Sequence, residues 1–459
     1  MSIYSPSVEG TFRDPGGRLY QQGNQILREI YPQYAAAALT WLASPVAQRW
    51  IQQRRIVPTT VLASEPGQAA ILEHERIFFP SYPWEWTPGQ WNEAALLTLD
   101  LCEEALDDGY ILKDATPLNI LFSGPKPIFV DVLSFETRDP QSPLWIAYGQ
   151  FIRTFLLPLC AFAQLGWPLA ATMQRRDGYE PADLAPFISL LRRWRQPLRS
   201  LITIPLMLEK KSHGESKRPK VSEELSDFAI RRLLRSTRKL LHSLSPSART
   251  SRWSGYTQTA CHYRSSDHEA KQAFVRSTLD RIRPNQVLDV GANTGVYSRI
   301  AAECGANVVA WDTDVQAADL NWHTAIRDGL SIQPMVADFA RPTPAVGWQN
   351  SESASLLERA KGKFDCVLML GVIHHLLVTD QIPMHAVIDQ LRSISNRWAI
   401  VEWVPKEDSQ FDELCRGRHE LYSHLNEDYF EQTISKRFVV RDRLQLPNMR
   451  TLWLVEAMA

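Results

Sequence analysis

The sequence predicts two folded parts: a doubly wound α/β domain of seven strands in the back half, fused to an α+β domain in front. From about Ser266, helical periodicity and short apolar strand-like runs alternate, which implies a mostly parallel sheet with helices on both faces. The front half groups hairpin-like strands and helices without that alternation. At 459 residues, the chain is long enough for two or three domains. The expected bounds are 1–207 for the front domain, 208–252 for a charged linker with a basic amphipathic helix, and 253–459 for the back domain.

Taken in order, residues 17–31 ("GRLYQQGNQILREIY") predict a hairpin, followed by one helix from Pro32 to about Gln53. "TTVLAS" and "AAILEHERIFF" read as strands, and Thr87 as the N-cap of a helix reaching Asp108. Helices are expected at 144–166 and 181–195. The apolar run Thr154–Met173 is broken by Pro158, Gln164, Gly166 and Pro168, so it predicts buried helices split at "LGWP" rather than a membrane span. "EKKSHGESKRPK" is polar and charged, as a linker would be. "SDFAIRRLLRSTRKLLHSL" has apolar residues at helical spacing with basic residues between, which suits an amphipathic helix. The seven strands are "QVLDVG", "NVVAW", "IQPMVAD", "FDCVLML", "WAIVEWV", "FVVRDRLQL" and "RTLWLVEAM", the last two forming an antiparallel edge hairpin around a Pro-Asn turn.

A formal net charge of −1 gives no global reason to bind nucleic acid or an anionic membrane. Six scattered cysteines without a Cys-x-x-Cys pair argue against a zinc site or a disulfide framework. The opening residues lack the basic-then-apolar pattern of an export signal, so a cytoplasmic location and no membrane partner are expected.

The strongest chemical signal is "VLDVGANTGVYSRIA". A buried strand runs through a glycine turn straight into a helix, which lets the backbone approach a ligand at the strand's carboxyl end. The spacing Gly291-x-x-x-Gly295, with Asn293 between, is not the G-x-G-x-x-G of dinucleotide sites. Instead it resembles motif I of the class I methyltransferases that use S-adenosylmethionine. That resemblance implies a Rossmann-like fold, a turn that receives the cofactor's amino-acid end, and Asp289 beside its ammonium. Asp312 ends the second strand, 21 residues after Gly291, where a carboxylate can accept both ribose hydroxyls. Asp338 ends the third, where the resemblance implies an acid facing the adenine amino group. Singly, each could be a helix N-cap; together, at three successive strand ends, they outline a binding site.

After the fourth strand comes "LGVIHHLLVTDQIPM". His374 and His375 stand at the mouth of this site, and either could take the acceptor's proton; the alternative is packing that fixes the loop. No metal is required for methyl transfer. "ADFARPTPAVGW", "GVIHHLLVTDQIPM" and "VEWVPKEDSQ" resemble a bacterial family of class I methyltransferases that includes rhizobial nodulation-type proteins. On that resemblance Trp348, Glu402 and Lys406 become candidates for the substrate side, against the plainer readings of core packing and surface ion pairs.

In the front half, "LKDATPLNILFSGPKPIFVDVLSF" places Asn119 five residues after Asp114, with Asp131 at the end of the next strand but one. The pattern is similar to kinase-like enzymes, in which such an Asp-x4-Asn loop positions the acceptor and one Mg²⁺ and a strand-end Asp holds metal on the phosphates. It implies a kinase-like domain with a possible Mg-ATP site. No glycine-rich loop precedes it, and no Lys occurs before residue 112. The plainer reading is an Asx turn.

The expected function is therefore S-adenosylmethionine-dependent methyl transfer to an O or N nucleophile of a small-molecule acceptor. The alternatives are a bifunctional kinase-like methyltransferase, an RNA methyltransferase using the basic helix, and a non-catalytic pair of binding modules.

Overall fold

The computed structural model describes residues 13–209, 220–244 and 265–458. The chain divides into two compact units, the first comprising Met1–Ser247 with Val346–Ser353 and the second Ala248–Ala345 with Ala354–Ala459.

In unit 1, β1 (Gly17–Gln22), β2 (Gln25–Ile30), β3 (Thr59–Ser64) and β4 (Ala70–His74) form an antiparallel sheet in the order β1-β2-β4-β3. The single helix expected after Pro32 is two, Pro32–Leu42 and Pro45–Gln52. Ser44 accepts a hydrogen bond from the Ala47 N–H and so starts a new helix, while Pro45, lacking an N–H, cannot continue the old one. The helix Pro88–Ala105 begins where expected: Thr87 and Gln90 satisfy each other's backbone N–H groups. Beyond it, β5 (Tyr110–Leu112) pairs with β8 (Phe135–Thr137), and β6 (Ile120–Ser123) with β7 (Lys126–Phe129). Trp41, Trp50, Trp86, Trp91, Phe129 and Phe155 are all fully enclosed in this unit's core. The apolar run from Thr154 breaks at Gly166, left-handed at φ 72°, and no helix among the described residues is long and apolar enough to cross a membrane.

The helix Glu223–Leu244 is not a linker. Ile230, Leu234, Leu241 and Leu244 are buried in the core of unit 1. Two of its basic residues are paired, Arg231 with Asp227 and Asp107, and Arg238 with Asp100 and Glu103. The expected boundary at 207 therefore moves to 247. Composition could not show this, because the apolar stripe of a docked helix looks the same whichever neighbour covers it. Residues 210–219 and 245–252 of the expected linker lie outside the described residues.

Unit 2 contains β9 (Gln286–Val290), β10 (Asn307–Asp312), β11 (Ile332–Val336), β12 (Phe364–Met369), β13 (Ser395–Trp403), β14 (Phe438–Gln445) and β15 (Thr451–Ala457). Their order is β11-β10-β9-β12-β13-β15-β14, parallel from β11 to β13. β15 runs antiparallel between β13 and β14, so the hairpin's second strand is internal and its first forms the edge. Burial agrees: the first five residues of β15 are buried, whereas β14 alternates with exposed positions. β9 leads to its neighbours on opposite sides, and the crevice at that reversal, above the strands' carboxyl ends, is where ligands bind in sheets of this kind.

The segment between β11 and β12 leaves unit 2 after Ala345 and returns at Ala354. Its base is closed by the Leu356 N–H donating to the Thr343 carbonyl (3.0 Å). Within unit 1, Glu352 pairs with Arg13 (2.7 Å) and with Arg176, and its side chain is only 3% exposed.

Candidate active site

In unit 2 a cavity of about 570 Å³ opens at the carboxyl ends of β9 to β12. Asp289, Gly291, Asn293, Asp312 and Asp338 all line it. The turn after β9 is shaped by three left-handed residues, Gly291 (φ 68°), Asn293 (φ 50°) and Gly295 (φ 82°). A Cβ on Gly291 would lie 2.4 Å from Val372 Cγ2, and one on Gly295 would lie 2.1 Å from Asn321 Oδ1. Both positions thus require glycine for conformation and for space. Gly295 does not line the cavity; it lets the following helix start close to Asn321. Asn293 tolerates φ > 0 better than most residues, and its backbone N–H donates to Asp312 Oδ2 at 2.6 Å, tying the turn to β10.

The three acids differ. Asp289 is buried and accepts a hydrogen bond from Ser298 Oγ (2.6 Å). Burial pushes its carboxyl up to about 7; the Asp312 charge adds to this, while Ser298 and Lys271 oppose it. Asp312 is also raised by burial, against backbone hydrogen bonds from Asp314 and Asn293. Asp338 caps its own turn, accepting from the Ala340 and Arg341 N–H groups and from Arg341 Nε (3.0 Å).

The two histidines separate. His375 lines the cavity, and burial keeps it neutral by lowering its pKa. His374 is 1% exposed, does not line the cavity, and packs its ring 4.2 Å from that of His375. Burial holds it well below its ordinary pKa, and neither ring nitrogen has a hydrogen-bond partner among the described residues. Its placement is that of a packing residue, not of a base.

Lys271 and Arg450, which no sequence motif marks, also line the cavity, and the wholly buried Glu402 stands behind them. Lys271 Nζ donates to Glu402 Oε2 at 2.6 Å and lies 4.9 Å from the ring centre of Tyr297. Arg450 makes a two-point pair with Asp408 (2.7 and 3.0 Å) and donates to Gln410. These pairs join residues far apart in sequence, so no local pattern announces them. Of the other candidates, Lys406 is exposed and Trp348 lies in the unit 1 segment with 63% of its surface exposed.

In unit 1, Asn119 Nδ2 donates to Ser134 Oγ (3.1 Å), which donates to Asp131 Oδ2 (2.6 Å). Asp131 Oδ1 accepts from Arg28 on β2 (2.9 Å), and the same Arg28 nitrogen reaches Asp14 (3.2 Å). Burial works to raise the Asp131 pKa, but Arg28, Ser134 and the Leu133 N–H hold it below the usual range. Asp114 is raised by burial and by the Asp131 charge. Beside Arg28, burial and the guanidinium charge push His74 down to about 3. A search for lysine alone passes over Arg28; a basic residue on a strand ahead of the motif was the available signal.

Residues 262–436 match the model of a methyltransferase domain. Over 471 aligned residues the chain is 29% identical to nodulation protein NoeA of Rhizobium meliloti (strain 1021), covering 98% of this chain and 96% of that protein. Among solved structures, it resembles the N-methyltransferase NodS from Bradyrhizobium japonicum WM9 (12% identity, 42% of this chain and 98% of that one, TM-score 0.32). It also resembles magnesium protoporphyrin IX methyltransferase from Synechocystis PCC 6803 (18% identity, 42% and 84%, TM-score 0.31). Likeness that distant adds no weight to the site. The matched region falls on the seven-stranded α/β sheet of unit 2 and its flanking helices.

Proposed function

We propose that unit 2 transfers the methyl group of S-adenosylmethionine to an oxygen or nitrogen nucleophile of a small-molecule acceptor. The observation that carries this is the convergence of Asp289, Gly291, Asn293, Asp312 and Asp338 on one cavity. The residues fit the cofactor: the left-handed Gly291 lets the turn pass tight against Val372 along the cavity wall, and Asp289 presents there a buried carboxyl whose one side-chain hydrogen bond among the described residues is from the neutral Ser298. Asp289 would hold the ammonium, Asp312 the ribose hydroxyls and Asp338 the adenine end. When bound, the cofactor supplies an electrophilic methyl on a sulfonium leaving group. An O–H or N–H acceptor methylated in this way would also have to give up a proton. His375, neutral and on the cavity wall, is the chain's group for receiving that proton. Most of the rate enhancement would come from alignment, which the rigid turn provides. Calorimetry tests the reading: the chain binds S-adenosylmethionine, and Asp312→Ala weakens binding by about 1–3 kcal/mol. Equal affinity for both proteins would remove the ribose assignment.

A second reading concerns unit 1, as a kinase-like module holding Mg-ATP at Asp114, Asn119 and Asp131. It is supported by the Asn119–Ser134–Asp131 chain of hydrogen bonds and by Arg28, a buried cation where a phosphate-binding lysine was lacking. Among the described residues no cluster of three or more His, Cys, Asp or Glu is placed to hold a metal by itself. A metal would therefore arrive with the nucleotide's phosphates. Mg-ATP should raise the melting temperature of the full chain, and Asp131→Asn should abolish that rise; a flat response in wild type returns the motif to a structural turn. The RNA reading has less support, since the basic helix spends its Arg231 and Arg238 on unit 1's own acids.

A further inference from the structure

We infer that unit 1 rests on an anionic lipid surface through the segment from Ala185 to Leu208. Its inward side is firmly seated: Leu184, Ile188, Leu198, Leu201 and Ile202 are all buried. The helix Leu190–Arg193 is tied to the following helical run from Arg199 by Thr203 Oγ1 donating to the Arg193 carbonyl at 2.6 Å. The outward side carries Phe187 (63% exposed), Leu190 (69%), Leu191 (85%), Trp194 (56%) and Leu208 (61%). Scattered single exposed apolar residues need no explanation, but five on one anchored segment do.

Charge identifies the occupant. Between Ala185 and Leu208 the chain has Arg192, Arg193, Arg195 and Arg199 and no acidic residue. Among the described residues none of these four arginines is in an ion pair; Arg192 donates only to the neutral Gln164 (2.9 Å). Elsewhere in the same unit Arg55, Arg138, Arg231 and Arg238 are each neutralised by carboxylates. Protruding Leu, Phe and Trp interleaved with uncompensated arginines suit a headgroup layer, in which the apolar tips enter the acyl boundary and the guanidinium groups stay among anionic headgroups. An acidic protein partner would satisfy the charge but would leave the protruding tips without a matching recess. The segment lies on the surface and does not span it, consistent with the lack of any helix among the described residues able to cross. No membrane partner was legible in the sequence, because a net charge near zero conceals a local basic cluster.

Flotation of the full chain with lipid vesicles tests this. The protein should float with phosphatidylcholine vesicles containing phosphatidylglycerol, and far less with phosphatidylcholine alone. The variant Arg192→Gln/Arg193→Gln/Arg195→Gln should lose about fivefold in partitioning per charge removed at low salt. The variant Leu190→Ser/Leu191→Ser/Trp194→Ser should also lose binding, at low and at high salt alike, whereas the charge contribution fades as salt is added. All the substituted positions except Arg193, whose Nε is buried, stand outward, so unchanged circular dichroism and an unchanged unit 1 melting transition serve as folding controls. Wild-type protein that stays in solution with anionic vesicles overturns the inference. So does an apolar variant that floats like wild type, which would mean electrostatic adsorption only.

Discussion

Asp289 is a carboxyl whose ordinary pKa near 4 is pushed up to about 7, chiefly by burial. An acid raised in this way is easiest to bury when protonated. Its folded state carries no penalty below the unfolded value and is progressively destabilised as pH rises from about 4 to about 7. Asp289→Asn should therefore be more stable than wild type at pH 8, by up to about 4 kcal/mol, with the difference vanishing near pH 4; urea denaturation at both pH values checks it. Binding runs the other way, because the cofactor's ammonium requires the carboxylate. Wild-type affinity should fall as pH drops below about 7, and the Asn variant should bind weakly with little pH dependence. The two histidines should part in a similar manner. His375→Ala should slow turnover with affinity nearly unchanged, whereas His374→Ala should chiefly lower stability, as expected for an emptied buried site. Asp289 could be located from its place before a glycine turn. Its protonation could not, since that depends on Ser298, Asp312 and on what covers the strand end.

At the scale of elements, Lys271 on the helix Ser265–Ile282 and Glu402 on β13 are joined through a wholly buried pair. Removing one partner strands a charge, so Glu402→Ala should cost about 3–5 kcal/mol by chemical denaturation, and replacing both residues with apolar ones should cost less. At the turn, Gly295→Ala meets both a left-handed φ of 82° and the Asn321 side chain. It should destabilise unit 2 by more than about 1 kcal/mol and weaken cofactor binding by displacing the helix start, whereas the same change at Gly305, with open space around it, should carry only the backbone cost. The strands of unit 2 and the turn after β9 were legible because period-two and period-3.6 patterns alternate and glycine marks the corners. The placement of β15 inside the sheet was not, and neither was the docking of Glu223–Leu244. Both depend on which surface an apolar stripe meets, and a stripe does not name its partner.

For the whole molecule, the seven-stranded back-half sheet and a separate α+β front part were legible in the sequence, but the division of the chain between them was not. "ADFARPTPAVGW" sits within the back-half pattern, yet its last three residues open the segment Val346–Ser353, which belongs to unit 1. The burial of Glu352 against Arg13 and Arg176 reveals it. A protein ending at Ser247 lacks that carboxylate and should melt below the unit 1 transition of the full chain; Glu352→Ala in the full chain should reproduce part of the drop by calorimetry. The arrangement also has a consequence in time. A ribosome adds ~5–20 residues per second, and about a hundred residues separate Ser247 from Ser353. Unit 1 thus spends roughly 5–20 seconds of synthesis with its last piece unmade. During that interval unit 1 is less stable than in the finished chain, and its completion waits on translation reaching well into unit 2.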